Sequence, residues 1–194
     1  MCDRPACDIV LQIQTLTNNR PLTLEGIPMA TNENLAAAFA GESQANRKYL
    51  AFAKKAEADG FPQVAKLFRA AAEAETIHAH AHLRVLGGIK TTAENLQAAA
   101  DGESYEFKSM YPPMVAEAQT EKNQAAVATF RNAMAAEKVH YELYSKALEA
   151  VKAGKDMPAC RLYICPVCGN VEIDAAPDTC PICGVAKGRF IEIQ

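Results

Sequence analysis

The order Glu42, then Glu75-Thr-Ile-His78, recurs as Glu103, then Glu137-Lys-Val-His140, and the second interval is longer by one position. Residues three apart share a helix face, so each Glu-x-x-His can offer a carboxylate and an imidazole from one side. A Glu, then a Glu-x-x-His, delivered twice over, is how a four-helix bundle holds two metal ions. A single Glu-x-x-His in an Ala-rich helix reads as an ordinary solvated pair, because burying an unpaired carboxylate is so costly. Two in register, each with a Glu one hairpin arm away, argue against that reading. A metal cluster supplies the positive charge that makes several buried carboxylates tolerable.

The C-terminus carries a second donor set. Cys165-Pro-Val-Cys168-Gly169 and Cys180-Pro-Ile-Cys183-Gly184 repeat one C-P-x-C-G pattern. Each is a tight knuckle that aims thiolates and backbone N–H groups at one tetrahedral ion, either iron or zinc by ligand type. About 35 residues bury too little core to fold unaided, so the metal supplies much of this module's folding energy.

These residues need helices to place them. Glu33–Ser43 aligns with Glu94–Ser104 at eight of eleven identical positions, and Phe68–His78 with Phe130–His140 at six of eleven. The chain therefore contains a duplicated helical hairpin. Thr31 to Asp59 is rich in Ala, Glu, Lys and Leu, all good helix formers. Asp59-Gly60-Phe61-Pro62 stops it, and a second helical pattern runs from about Gln63 to Leu86, ending at Gly87-Gly88. At about 1.5 Å rise per residue, Glu42 lies roughly 27 Å before Gly60 and Glu75 roughly 22 Å after it, nearly level in an antiparallel pair. A turn near Asn123 does the same for Glu103 and Glu137. Leu35, Phe39, Glu42, Tyr49, Phe52 and Ala56 form one expected core stripe. Val64, Leu67, Ala71, Glu75, His78, His82 and Val85 form a second. Val127, Phe130, Met134, Glu137, Tyr141, Tyr144 and Leu148 form a third. Pro112-Pro113 falls inside the third helical pattern and should kink it. The expected divisions are an N-terminal extension (1–30), an all-α four-helix bundle (31–155) and a small Cys-rich module (160–194).

At 194 residues the chain fits one domain plus a small appendage. A net charge of −3, no Trp and no basic stripe argue against nucleic acid as a partner. No run approaches the length of a membrane span, and residues 1–30 show no signal-peptide pattern. The expected location is the cytoplasm, where the seven Cys are metal ligands and free thiols rather than disulfides. Cys2, Cys7 and Cys160 read as free thiols. His80 and Glu73 lie about 200° around the helix from His78 and Glu75 and read as solvated. His82, one turn from His78, reads as a satisfied polar residue near the bundle end. Residues 1–28 do not decide between a strand, a strap and disorder.

Both Glu-x-x-His sequences, the Gly-Glu-Ser around Glu42 and Glu103, Met110-Tyr111-Pro112 and the C-terminal C-P-x-C-G pair resemble the rubrerythrin family over about residues 30–194. The segment before them, 1–30, resembles the extensions of nigerythrin-type relatives. The resemblance implies a ferritin-like di-iron bundle fused to a rubredoxin-like β domain. It implies Glu42, Glu75, His78, Glu103, Glu137 and His140 as six core iron ligands, with Glu75 and Glu137 bridging. Glu106 would be a seventh; its counterpart after Glu42 is Ala45, so the extra carboxylate exists on one side only. Glu106 and His78 would exchange on one iron as the oxidation state changes. Tyr49 and Tyr111 match tyrosines that hydrogen-bond around the cluster. Cys165, Cys168, Cys180 and Cys183 would hold one further iron.

The function so implied is non-haem iron peroxidase: hydrogen peroxide is reduced to water at the di-iron pair. The four-Cys iron then re-reduces the pair, drawing on a rubredoxin or an NAD(P)H reductase, in a homodimer. Two other classes stay open: a ferroxidase or iron-handling protein, and a redox sensor.

Overall fold

The structure, a computed structural model, describes residues 30–194. The expectations for residues 1–28, Cys2 and Cys7 lie outside the described residues. Contacts divide the chain into two compact units, the first ending at Ile89 and the second spanning Lys90–Gln194.

The first unit is a helical hairpin of α1 (Thr31–Ala58) and α2 (Pro62–Val85). Glu33 Oε2 accepts from Ala30 N at 2.9 Å and starts α1. Gly60, at φ +83°, makes the turn. Pro62 opens α2, where a missing N–H removes no helical bond. The seam is made of small residues that recur every second turn. Asn46 and Ala53 on α1 face Ala65, Ala72 and Ala79 on α2, and all are buried.

This corrects one expectation. Val64, Leu67, Phe52 and Val85, expected in the core, are exposed, Leu67 at 68% and Val85 at 71%. A hairpin has one internal seam. The alanines occupy it, and the stripe that carries Glu75 and His78 is the neighbouring face.

The second unit begins with α3 (Thr92–Tyr105), a π-helical turn (Glu106–Met110) and α4 (Tyr111–Thr120), followed by α5 (Gln124–Lys152). Thr91 and Glu94 cap α3 reciprocally: Thr91 N donates to Glu94 Oε2 at 3.1 Å, and Glu94 N donates to Thr91 Oγ1 at 3.3 Å. Glu94 is the repeat of Glu33, so the duplicated Glu is a helix-start residue in both halves. Asn123 Oδ1 caps α5 through Ala126 N at 3.1 Å.

The expected kink at Pro112-Pro113 takes a specific form. The prolines sit in the first turn of α4, and the turn before them is widened. Tyr111 N donates to Glu106 O, five residues back instead of four. Proline removes the donors that Lys108 O and Ser109 O would receive, and its ring crowds those carbonyls. A π turn relieves this by inserting one residue. The insertion is visible in the repeat: Glu42 and Glu103 differ by 61, whereas His78 and His140 differ by 62.

After α5 come β1 (Leu162–Ile164), β2 (Val171–Ile173), a short 3-10 turn (Lys187–Arg189) and β3 (Ile191–Ile193). They form an antiparallel sheet of order β2-β1-β3. β2 packs against α5. Among the described residues no helix is long and apolar enough to cross a membrane.

Candidate metal centres

In the first unit α1 presents Glu42 and α2 presents Glu75 and His78, and one donor atom from each lies within 4.8 Å of the others. His78 Nδ1 is 3.0 Å from Glu75 Oε2 and 4.0 Å from Glu42 Oε2. In the second unit α3 presents Glu103, and α5 presents Glu137 and His140, within the same limit. His140 Nδ1 is 2.7 Å from Glu137 Oε2 and 3.8 Å from Glu103 Oε1. The six expected core ligands therefore form two triads of the same composition, each with an imidazole Nδ1 turned to its carboxylates.

Aromatic pairs repeat as well. Tyr49 packs on Phe68 with ring centroids 6.2 Å apart and planes at 35°. Tyr111 packs on Phe130 at 6.2 Å and 39°. Tyr49 and Tyr111 differ by 62, so the inserted π-turn residue is what brings Tyr111 to the place that Tyr49 holds.

The triads are electrostatically strained without a cation. Burial, then the hydrogen bond and charge of Glu137, raise the Glu103 carboxyl to about 7. The hydrogen bond between the two carboxyls raises Glu42 and lowers Glu75. Burial, followed by the charge of Glu137, raises Glu106. Burial and the charges of Glu137, Glu106 and Glu103 raise the Tyr111 phenol, which puts it in the field of all three. Among the described residues, the ion-pair partners of Glu42, Glu75, Glu103 and Glu137 are the two histidines and no Lys or Arg. Crowded oxygens, one imidazole per triad and no lysine or arginine paired with these acids fit a pair of hard-to-borderline cations.

Glu106 stands in the π turn, outside the tight Glu103, Glu137 and His140 triad. The turn is clamped from outside: Lys108 Nζ lies 5.1 Å from the ring centres of both Phe107 and Tyr141. The sequence reading missed this clamp. It also missed Asn46, which is buried and donates from Nδ2 to Ala72 O at 2.6 Å and Thr76 Oγ1 at 2.8 Å. That amide ties α1 to α2 one turn from Glu42. An Asn one turn beyond a candidate ligand was the available signal.

The four cysteines converge. Cys165 and Cys183 sulfurs are 3.5 Å apart, and Cys168 and Cys180 sulfurs 3.6 Å. A tetrahedron with metal–sulfur bonds of about 2.3 Å has edges of about 3.8 Å, so the cage is of the right size. Gly169 and Gly184 close the knuckles at φ +81° and +75°. Burial pushes the Cys165 thiol up, but amide donors of Cys168 and Val167 outweigh it and hold the group at about 7. Burial and the facing thiols push Cys168 and Cys183 up. Cys165 therefore forms its thiolate more readily than Cys168 or Cys183. Cys160 is exposed and unbridged, as expected. His80 is exposed and His82 half-buried.

The two donor sets of the second unit touch. His140 Nε2 lies 2.9 Å from Gly169 O, the carbonyl next to Cys168. Leu143, Tyr144, Met157 and Ile164 line an apolar cavity of about 330 Å³ beside the ring. His140 is 23% exposed; His78, its repeat, is 55% exposed.

A family model described as "Rubrerythrin" matches residues 33–148, and one described as "Rubrerythrin, rubredoxin-like domain" matches residues 163–191. Rubrerythrin-2 of Clostridium acetobutylicum is 37% identical over 174 residues, 82% of this chain and 95% of that protein. Nigerythrin of Nitratidesulfovibrio vulgaris is 38% identical over 175 residues, 83% of this chain and 85% of that one. A solved structure of nigerythrin in a mixed-valence state is similar over 100% of both chains, with 33% identity and TM-score 0.50. Its all-ferrous structure gives 32% and 0.51. With these matches the fold is ferritin-like with a rubredoxin-like module, and the centres are a di-iron site and a four-cysteine site.

Proposed function

The chain belongs to the rubrerythrin family, and from that premise we propose that it reduces hydrogen peroxide to water at the di-iron site and is re-reduced through the four-cysteine site. The observation that carries this reading is the hydrogen-bonded contact between His140 and Gly169. A storage protein has no use for a closed thiolate site joined to its carboxylate site, whereas a reductase that must be refilled with electrons does.

Glu42, Glu75 and His78 would hold the metal pair together with Glu103, Glu137 and His140, the two carboxylate-rich triads supplying its hard oxygen ligands. When bound, two ferrous ions supply two electrons and Lewis-acid polarisation for breaking an O–O bond. The protein's part is to place ligands, move protons and admit electrons. Tyr111 keeps its phenolic proton in the field of three carboxylates and could donate it to peroxide in the site. Tyr49 occupies the matching place in the first half.

Glu106 and His78 would be the ligands that exchange if the bound pair changed oxidation state. The asymmetry of the two histidines supports this. His140 is held at both ring nitrogens, by Glu137 and by Gly169 O. His78 is half open to solvent, and its contacts are through Nδ1. A ring with one tether can swing away; a ring with two cannot. The π turn supplies the replacing carboxylate on one side only.

Electrons arrive from a rubredoxin or an NAD(P)H reductase, and the working protein is a cytoplasmic homodimer. The deciding experiment is stopped-flow re-oxidation of fully reduced protein. Peroxide should oxidise the di-iron pair much faster than O₂ does. Faster oxidation by O₂ would replace this reading with iron oxidation and handling.

A further inference from the structure

We propose that Lys108 is a positioning residue for Glu106. Its ammonium lies over the rings of Phe107 and Tyr141, pins the π turn to α5, and so sets where the Glu106 carboxylate and the Tyr111 phenol stand. This rests on the reading that Glu106 joins the ligands of the di-iron site.

The two halves of the repeat fasten the same point of the hairpin by different chemistry. At the interval of 61 that relates Glu42 to Glu103, Asn46 and Arg47 fall on Phe107 and Lys108. In the first half the buried Asn46 amide donates to Ala72 O and Thr76 Oγ1, and Arg47 Nε donates to Asn46 Oδ1 at 2.8 Å. The α1 helix runs through this point unbroken. In the second half the amide is gone. Phe107 and Tyr141 pack with ring centroids 5.7 Å apart and planes at 54°, and Lys108 Nζ lies 5.1 Å from each centroid.

The two fastenings differ in tolerance. A hydrogen bond weakens steeply when bent or stretched. A cation is attracted to a ring anywhere within about 6 Å of its centroid. The rigid fastening stands where the chain has Ala45 and a regular helix; the tolerant one stands where it has Glu106 and a π turn. A clamp of this kind holds the turn against α5 and still lets it shift by a fraction of an ångström.

The turn needs a side-chain fastening because its backbone is poorly held. Pro112 and Pro113 deprive Lys108 O and Ser109 O of their helical donors. Phe107 and Lys108 directly follow Glu106, and the bond from Tyr111 N to Glu106 O closes the turn. Tyr141 directly follows His140, so the clamp joins the Glu106 turn to the stretch of α5 that carries Glu137 and His140. Among the described residues Lys108 forms no salt bridge. It therefore acts on Glu106 through the backbone and not as a counter-ion.

The test compares Lys108→Met, which keeps the stem and removes the charge, with Lys108→Arg, which keeps a cation able to lie on a ring. Arg47→Met is the control in the first half. Amide hydrogen exchange is followed in the full-length protein as purified. Lys108→Met should speed exchange across residues 106–111 by about 2- to 30-fold, the range of cation–π attraction, and leave α2 unchanged. Lys108→Arg should restore the natural rate, and Arg47→Met should leave residues 106–111 unaltered. Unchanged exchange in Lys108→Met overturns the clamp. Equal acceleration throughout α3, α4 and α5 overturns it too, because Lys108 would then be a general stabiliser. The second readout is re-oxidation of reduced protein at rising peroxide concentration. Lys108→Met should lower the limiting rate by about 10-fold, with recovery in Lys108→Arg and an unchanged half-saturating concentration. A shifted half-saturation at an unchanged limiting rate would place Lys108 at substrate entry and overturn the positioning role. If the natural protein itself does not react with peroxide, the proposed function fails, and the exchange rates still decide the clamp.

Discussion

His140 Nε2 and Gly169 O are 2.9 Å apart, and both belong to one chain. Nδ1 of the same ring faces Glu137, so a single imidazole spans from the carboxylate triad to the knuckle of Cys168. On the proposed function, this contact would let electrons enter the di-iron pair from the chain's own four-cysteine site.

Replacing Cys168 and Cys183 by Ser should abolish turnover with an external reductant. It should leave a single reaction of chemically reduced di-iron with peroxide nearly intact, because the thiolate site is closed and cannot meet substrate. Mixing this variant with Glu137→Ala should restore no steady-state activity, since intact cysteines and intact Glu137 must share a chain. Recovery would mean that electrons cross between chains. Steady-state turnover in the unmixed Cys variant would make the module structural.

Glu106→Ala should leave the bundle folded with two irons bound and slow the redox cycle by about 10- to 100-fold, the range for groups that tune a metal site. Metal analysis and the rate of re-oxidation check both halves of the statement. Loss of both irons would make Glu106 a plain structural ligand.

Metal-free protein should lose stability as pH rises. The Glu103 carboxyl is raised to about 7 in the fold, above its ordinary 4.5, so the folded state binds more protons in between. The stabilising contribution is complete below about 4.5 and is lost as pH climbs through about 7. Melting temperatures from pH 5 to 8 report it, and Glu103→Gln should flatten the profile. Iron should reverse the trend, because the ligand must shed its proton to bind.

Asn46→Ala should destabilise the α1–α2 hairpin by about 1–3 kcal/mol, since it leaves a buried carbonyl and hydroxyl without their donor. Denaturant unfolding of metal-free protein measures this. An unchanged midpoint would show that the Asn46 amide bonds to Ala72 and Thr76 add nothing to stability.

Protein purified from its natural source should carry about three irons per chain, two at the carboxylate triads and one at the four cysteines. Zinc at the cysteines, with no thiolate-to-iron colour, would remove the electron-transfer role. Zinc after overexpression alone would not, because such a site accepts the metal on offer.

The sequence by itself determined the candidate ligands, the helices that carry them and the level at which each Glu meets its Glu-x-x-His. Those follow from residue type, period and depth, which are local quantities. Three matters needed the tertiary structure. Periodicity shows that Val64, Leu67 and Glu75 share a face, but not whether that face or the adjacent alanine face takes the hairpin seam. Side-chain volume decides it, since alanines let two helices approach most closely. The unequal intervals of the two halves record an inserted residue, but the π bond from Tyr111 N to Glu106 O locates it, because the prolines displace the hydrogen bonds before them. The His140–Gly169 contact has no sequence signal at all. Every residue owns a carbonyl, and only the packing of the cysteine module on α5 selects this one.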